Sequence, residues 1–97
     1  MEQLFVYGIF LSQYNRDAYG MTNPRYFTVL DYATYGRGIV QAHYEPGKGL
    51  SLTGLLVDVD PSQWEALDRL ETGYKRIKVK TYNGVEAWMY VAPKNNS

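Results

Sequence analysis

Residues 60–73 carry the strongest local folding signal in this chain. Asp60 is a good N-cap, Pro61 suits the first helical position, and Gln63 stands where a capping box places its partner. Gly73 is a natural residue for ending the same helix. The pattern predicts a helix from Pro61 to about Glu71. Almost everything else comes in strand-length runs. A chain of 97 residues with one assured helix must build most of its core from sheet.

Leu4-Phe5-Val6-Tyr7 is apolar and β-prone, and it ends at Gly8, as a buried strand entering a turn does. Ser12 to Gly20 turns polar and reads as a loop or a single helical turn, and Thr22-Asn23-Pro24 reads as a turn. Tyr26 to Tyr35 looks like a strand with an irregular middle. Gly36 and Gly38 around Arg37 suggest a bulge or bend before a strand from Ile39 to Tyr44. Glu45 to Gly49 is a loop. Leu52 to Val59 is a strand with Leu55, Val57 and Val59 on one face. Arg76 to Thr81 alternates apolar and basic residues, Asn83-Gly84 signals a hairpin, and Val85 to Val91 is its partner strand. No repeat, linker or low-complexity segment interrupts the chain. The expectation is a single domain over residues 1–92 with a polar tail over 93–97. The fold class is α+β: a curved sheet or small mixed β-barrel with one or two flanking helices.

Composition narrows the function. Ten Lys+Arg balance ten Asp+Glu, which argues against a nucleic-acid or anionic-membrane binder. Cysteine is absent, and the lone histidine, His43, has no acidic neighbour at ligand spacing, so neither a metal site nor a cofactor is expected. With no apolar run of membrane-spanning length and no targeting pattern, the chain is expected to be soluble and cytoplasmic. Ten tyrosines would suit a small core around a polar pocket, although β propensity also favours them.

Glu71 is the residue with the most chemistry. Trp64, Leu67 and Glu71 fall at i, i+3 and i+7, so the carboxylate continues an apolar helical stripe. Desolvation there would raise its pKa and let it exchange protons near neutrality. Position alone also allows an exposed helix-end residue or a partner for Arg76. Glu65 and Asp68 project elsewhere and should be solvated. Tyr7-Gly8 is a second candidate, because a strand ending at glycine beside loop amides can hold an anion, or can simply be a turn. Arg16, Arg25 and Arg37 with Tyr14, Tyr26 and Tyr35 could form a basic aromatic patch, though their scatter suits a solvated surface better. Gly47-Lys48-Gly49 lacks the order of a P-loop.

These segments resemble a known family. Leu4-Phe5-Val6-Tyr7-Gly8 is similar to the opening strand of the γ-glutamylcyclotransferase-like (AIG2-like) proteins, which runs into Tyr-Gly-(Ser/Thr)-Leu. Leu67-Asp68-Arg69-Leu70-Glu71, then Gly73 and Tyr74-Lys75-Arg76, resembles the family's helix ending in Leu-Asp-x-x-Glu, its glycine and its Tyr-x-Arg strand. Gly54 to Asp60 and Ala87 to Val91 also fit, whereas residues 15–50 match only loosely. The resemblance implies a small mixed barrel and intramolecular aminolysis of a small γ-glutamyl amine or peptide. Glu71 would be the general acid/base. Gly8, Ile9 and Phe10 would supply amides, while Tyr7 and Tyr74 would wall the pocket and donate hydrogen bonds. No cofactor, metal, nucleic acid or membrane is implied.

Two departures stand out. Ile9 and Phe10 replace the family's Ser/Thr and Leu, which keeps the backbone donors but loses a hydroxyl. Only Thr72-Gly73 separates Glu71 from the Tyr-x-Arg strand, and the chain is shorter than many family members, so the pocket would be more open or completed by a second subunit. The state expected is a monomer or homodimer. Two other readings remain: a non-catalytic module for a small ligand, and an interaction protein using its tyrosine-rich surface.

Overall fold

The computed structural model describes residues 1–36, 41–81 and 83–92. The predicted bend at Arg37, the start of the strand at Ile39 and the polar tail lie outside the described residues.

Among the described residues, seven strands and two helices follow one another as β1 (Glu2–Val6), α1 (Gln13–Ala18), β2 (Thr22–Leu30), β3 (Tyr32–Tyr35), β4 (Gln41–Tyr44), β5 (Ser51–Val59), α2 (Trp64–Leu70), β6 (Lys75–Lys80) and β7 (Glu86–Val91). Short 3-10 turns precede the helices at Ile9–Leu11 and Pro61–Gln63. The main sheet has the order β2-β5-β1-β7-β6, and β3 and β4 form a separate ribbon. Among the described residues only the β1–β7 pairing is parallel; the other pairs are antiparallel. This is the mixed α+β architecture expected. The sheet curls until its edges meet at one antiparallel bridge, Val29 to Thr81. Among the described residues this single bridge is not a continuous ladder, so the barrel is not closed there.

The central strands are buried on both faces, and alternation sorts their side chains into two cores. Leu4 and Val6 of β1, Leu55, Val57 and Val59 of β5 and Tyr90 of β7 pack with Trp64 and Leu67 of α2. Phe5, Leu56, Ala87, Met89 and Val91 face the other way, against Val29, Val79 and the ribbon's Tyr32 and Ala42. The helix covers one face and the ribbon the other.

Asp60 caps the Pro61–Gln63 turn that leads into α2, its side chain accepting the Ser62 N–H at 2.9 Å, so the helix predicted from Pro61 opens as a 3-10 turn and becomes α-helical at Trp64. Three details differ from expectation. The strand predicted over Tyr26 to Tyr35 is two strands, broken at Asp31 with φ 69°. Thr22-Asn23-Pro24 makes no turn but a register shift inside β2, with Asn23 at φ 54°. Proline lacks the ladder N–H, and asparagine tolerates positive φ, so the pair is absorbed as an irregularity. The β6–β7 connection is wider than a two-residue hairpin. Gly84 donates to the Thr81 carbonyl at 2.9 Å, and Thr81 donates to that of Val85 at 2.8 Å.

Gly54 permits a close approach. A Cβ there would lie 2.2 Å from the Val6 carbonyl oxygen and 2.9 Å from the Phe5 ring.

Candidate active site

A cavity of about 840 Å³ opens where the end of β1, the turn after it and the end of α2 converge. Tyr7, Gly8, Ile9, Phe10, Glu71 and Tyr74 all line it. All six candidate residues therefore share one cavity. Leu11, Gln41, Leu70, Thr72 and Tyr90 line it too, and none was singled out beforehand. Gln41 comes from the loosely matched middle of the chain. The apolar character of Leu70 was visible, but helical spacing assigned it no place at a site.

Glu71 sits at the C-cap of α2. Its N–H donates to the Leu67 carbonyl and its own carbonyl accepts the Tyr74 N–H, each at 2.9 Å. Gly73, at φ 94°, then turns the chain into β6. This tight return keeps Glu71 and Tyr74 on the same wall. The Glu71 carboxylate is half-buried, and burial raises its pKa above the ordinary carboxylate value. Among the described residues its side chain makes no ion pair or hydrogen bond.

The alternative of an Arg76 partner is resolved by Asp68. Arg76 meets Asp68 through two contacts of 3.2 Å, Nε to Oδ1 and Nη2 to Oδ2. Its guanidinium also lies over Trp64 and Trp88, at 4.1 and 4.8 Å from the ring centroids. Asp68 additionally accepts the Tyr90 hydroxyl at 2.6 Å. It is exposed as expected, yet it is tied into a network rather than merely solvated. That network removes the cation from Glu71.

The turn after β1 leaves donors free. Its i→i+3 bonds use the N–H groups of Leu11 and Ser12, at 3.0 and 3.1 Å. Among the described residues, the Ile9 and Phe10 N–H groups have no acceptor, the usual condition of a helical first turn. Arg16 braces the turn, donating to the Phe10 carbonyl at 3.0 Å and the Leu11 carbonyl at 2.7 Å.

Tyr7 departs from its expected role. Its hydroxyl donates to the Tyr90 carbonyl and accepts the Ala42 N–H at 3.3 Å. The single hydroxyl proton is committed to the backbone, so Tyr7 walls the cavity with its ring but has no donor to spare. Burial pushes its phenol above the normal tyrosine range. Tyr74 keeps an uncommitted hydroxyl among the described residues.

Among the described residues the basic aromatic patch does not assemble. Arg25 pairs with Asp58 at 3.2 Å, Arg16 is occupied as above, and Arg37 lies outside the described residues. His43 packs edge-on against Tyr35. No described helix is long and apolar enough to cross a membrane, and no group of three acidic or histidine side chains gathers among the described residues.

The family model for gamma-glutamyl cyclotransferase, AIG2-like, matches residues 4–97. The chain belongs to this family. Among curated proteins none matches the sequence with significance. Solved structures superimpose over nearly the whole chain. An uncharacterized protein from Pyrococcus horikoshii has a TM-score of 0.79 at 19% identity, covering 98% of this chain and 80% of that one. An Arabidopsis thaliana protein has a TM-score of 0.80 at 17% identity, covering 99% and 71%. A gamma-glutamyl cyclotransferase has a TM-score of 0.74 at 17% identity, covering 96% and 67%. At such identities the likeness establishes the AIG2-like fold; the chemistry has to be argued from the site.

Proposed function

We propose that this chain is a γ-glutamyl cyclotransferase-type enzyme that converts a small γ-glutamyl amine or peptide to 5-oxoproline and the free amine. The observation that carries the reading is Glu71: a half-buried carboxylate, without a cation partner among the described residues, lining the same cavity as the turn whose backbone donors are free.

The substrate's α-amine nitrogen attacks its own γ-carbonyl carbon. A C–N bond forms, closing the five-membered ring, and the original γ-amide C–N bond breaks. The attacking nitrogen loses a proton and the leaving nitrogen gains one, so a single carboxylate can carry the proton between them. Desolvation suits Glu71 to this work because its raised pKa brings proton acceptance and return closer in energy. The Gly8, Ile9 and Phe10 amides bind the substrate's α-carboxylate or the developing oxyanion. Tyr74 offers a hydroxyl, and the Tyr7 ring packs beside the folded substrate. Holding amine and carbonyl within reach supplies much of the acceleration.

The test is 5-oxoproline release from a γ-glutamyl amino acid, γ-glutamyl-ε-lysine and glutathione, with Glu71→Gln beside the unaltered protein. Turnover that disappears in the variant supports the reading, and equal turnover in both removes Glu71 from it. Ile9, in place of a hydroxyl, favours one alternative: a module that binds the same ligands without turnover. Thermal stabilisation by these compounds, with no product formed, would identify that module.

A further inference from the structure

The cavity is larger than a γ-glutamyl head group needs, and its mouth has a distinct chemistry. Ile9, Leu11 and Leu70 all line it while remaining 56%, 49% and 44% exposed. Ile9 and Leu11 come from the turn after β1 and Leu70 from the last turn of α2, so the apolar groups flank the cavity from two elements. Isolated exposed leucines mean little, but three around one concavity leave apolar area available to a ligand. Ile9 also stands where the family pattern carries a hydroxyl, which moves the mouth further towards apolar character.

Charge points the same way. Glu71 bears the only formal charge among the described lining residues. Two nearby cations are engaged elsewhere, Arg16 by carbonyl oxygens and Arg76 by Asp68. A substrate's α-carboxylate can use the free amides of the turn. A second carboxylate, on the leaving amine, would meet apolar side chains and another carboxylate.

Resting on the cyclotransferase reading, we infer that the leaving group of the preferred substrate is an apolar alkyl or aryl amine without a carboxylate, seated against Ile9, Leu11 and Leu70. The side chains at the mouth then act as specificity determinants, while Glu71 handles the proton.

The experiment separates binding from turnover. Binding of γ-glutamyl n-propyl-, n-butyl-, n-pentyl- and n-hexylamide and of γ-glutamylglycine is titrated calorimetrically with Glu71→Gln, and 5-oxoproline release is followed with the unaltered protein. Affinity is expected to rise about threefold per methylene, just below the roughly fourfold of full burial. With the Glu71 charge removed in this variant, the apolar side chains alone are expected to make γ-glutamylglycine bind at least about tenfold more weakly than the n-propylamide. Leu70→Asn and Ile9→Ser should each flatten the methylene series. Leu70 and Ile9 are exposed, so these variants keep the core intact. A flat series, or preference for γ-glutamylglycine, overturns the apolar subsite even if all compounds are turned over. A rising series without product supports the subsite and overturns the cyclotransferase reading.

Discussion

The Tyr7 hydroxyl donates to the carbonyl of Tyr90, 83 positions away in sequence, at the wall of the cavity. The same oxygen accepts the Ala42 N–H at 3.3 Å, and the Ala42 carbonyl accepts the Ala92 N–H at 3.1 Å. One phenol thus joins the end of β1, β7 and the β3–β4 ribbon. Gln41, next to Ala42, reaches the cavity through this clasp.

Tyr7→Phe keeps the ring and removes the clasp. It leaves a backbone N–H in a fully buried residue, Ala42, without its acceptor. The expected cost is about 1–3 kcal/mol. Chemical denaturation would measure it, and amide exchange at Ala42 should accelerate more than exchange in β5. Unchanged protection at Ala42 would mean that the ribbon is held by its other contacts.

Glu71→Gln should stabilise the protein at neutral pH, because the unaltered chain holds a desolvated charge there. The sign follows from the raised pKa. The folded state binds the Glu71 proton more tightly than the unfolded state, so this contribution is favourable below the unfolded carboxylate pKa. It is lost as pH rises through the folded value. The stability difference between variant and parent should therefore shrink as pH falls from neutrality towards the unfolded carboxylate pKa and be gone below about 4. Thermal unfolding across pH 3–8 tests this, and a variant less stable at pH 7 would show that the carboxylate has a stabilising partner. In the 5-oxoproline assay the same substitution should lower kcat by roughly 10²-fold or more.

Glu2 secures the helix to the sheet. Its Oε2 accepts both indole N–H groups, that of Trp64 at 2.9 Å and that of Trp88 at 2.8 Å. Glu2→Ala strands both donors and should cost about 1–3 kcal/mol. Glu2→Gln retains a carbonyl acceptor and should recover part of that. Urea titrations followed by tryptophan emission would rank the three proteins, and equal midpoints would show that water replaces the carboxylate without loss.

Gly54→Ala places a methyl group against backbone rather than a movable side chain, 2.2 Å from the Val6 carbonyl oxygen. β1 and β5 must separate to admit it, at a cost of about 1–3 kcal/mol or more. Gly49→Ala is the control: its φ of 68° is strained for alanine, but nothing lies within 4 Å. It should cost about 1–2 kcal/mol. If the two variants unfold alike, the close approach of β1 to β5 is softer than its geometry indicates.

Much of this protein was legible from local pattern. The Asp60-Pro61 start, the Gly73 stop and the Ile77/Val79 alternation are short-range signals, and the structure follows them. The i, i+7 spacing of Trp64 and Glu71 pointed to the inward stripe but left an exposed helix end open; Glu71 lies at the C-cap of α2, half-buried. Asn23-Pro24 misled, since its turn chemistry serves equally well for an irregularity within a strand. Tertiary structure decided the rest. Whether Glu71 would meet Arg76 depended on Asp68 claiming that cation, and whether Tyr7 could donate to a ligand depended on the Tyr90 carbonyl lying above it. The sequence by itself determined which residues could do chemistry, through their side-chain types and the period of their elements. Only the fold determined which were left free to do it, because a hydrogen-bond donor or a charge is spent on whichever partner the packed chain brings within about 3 Å.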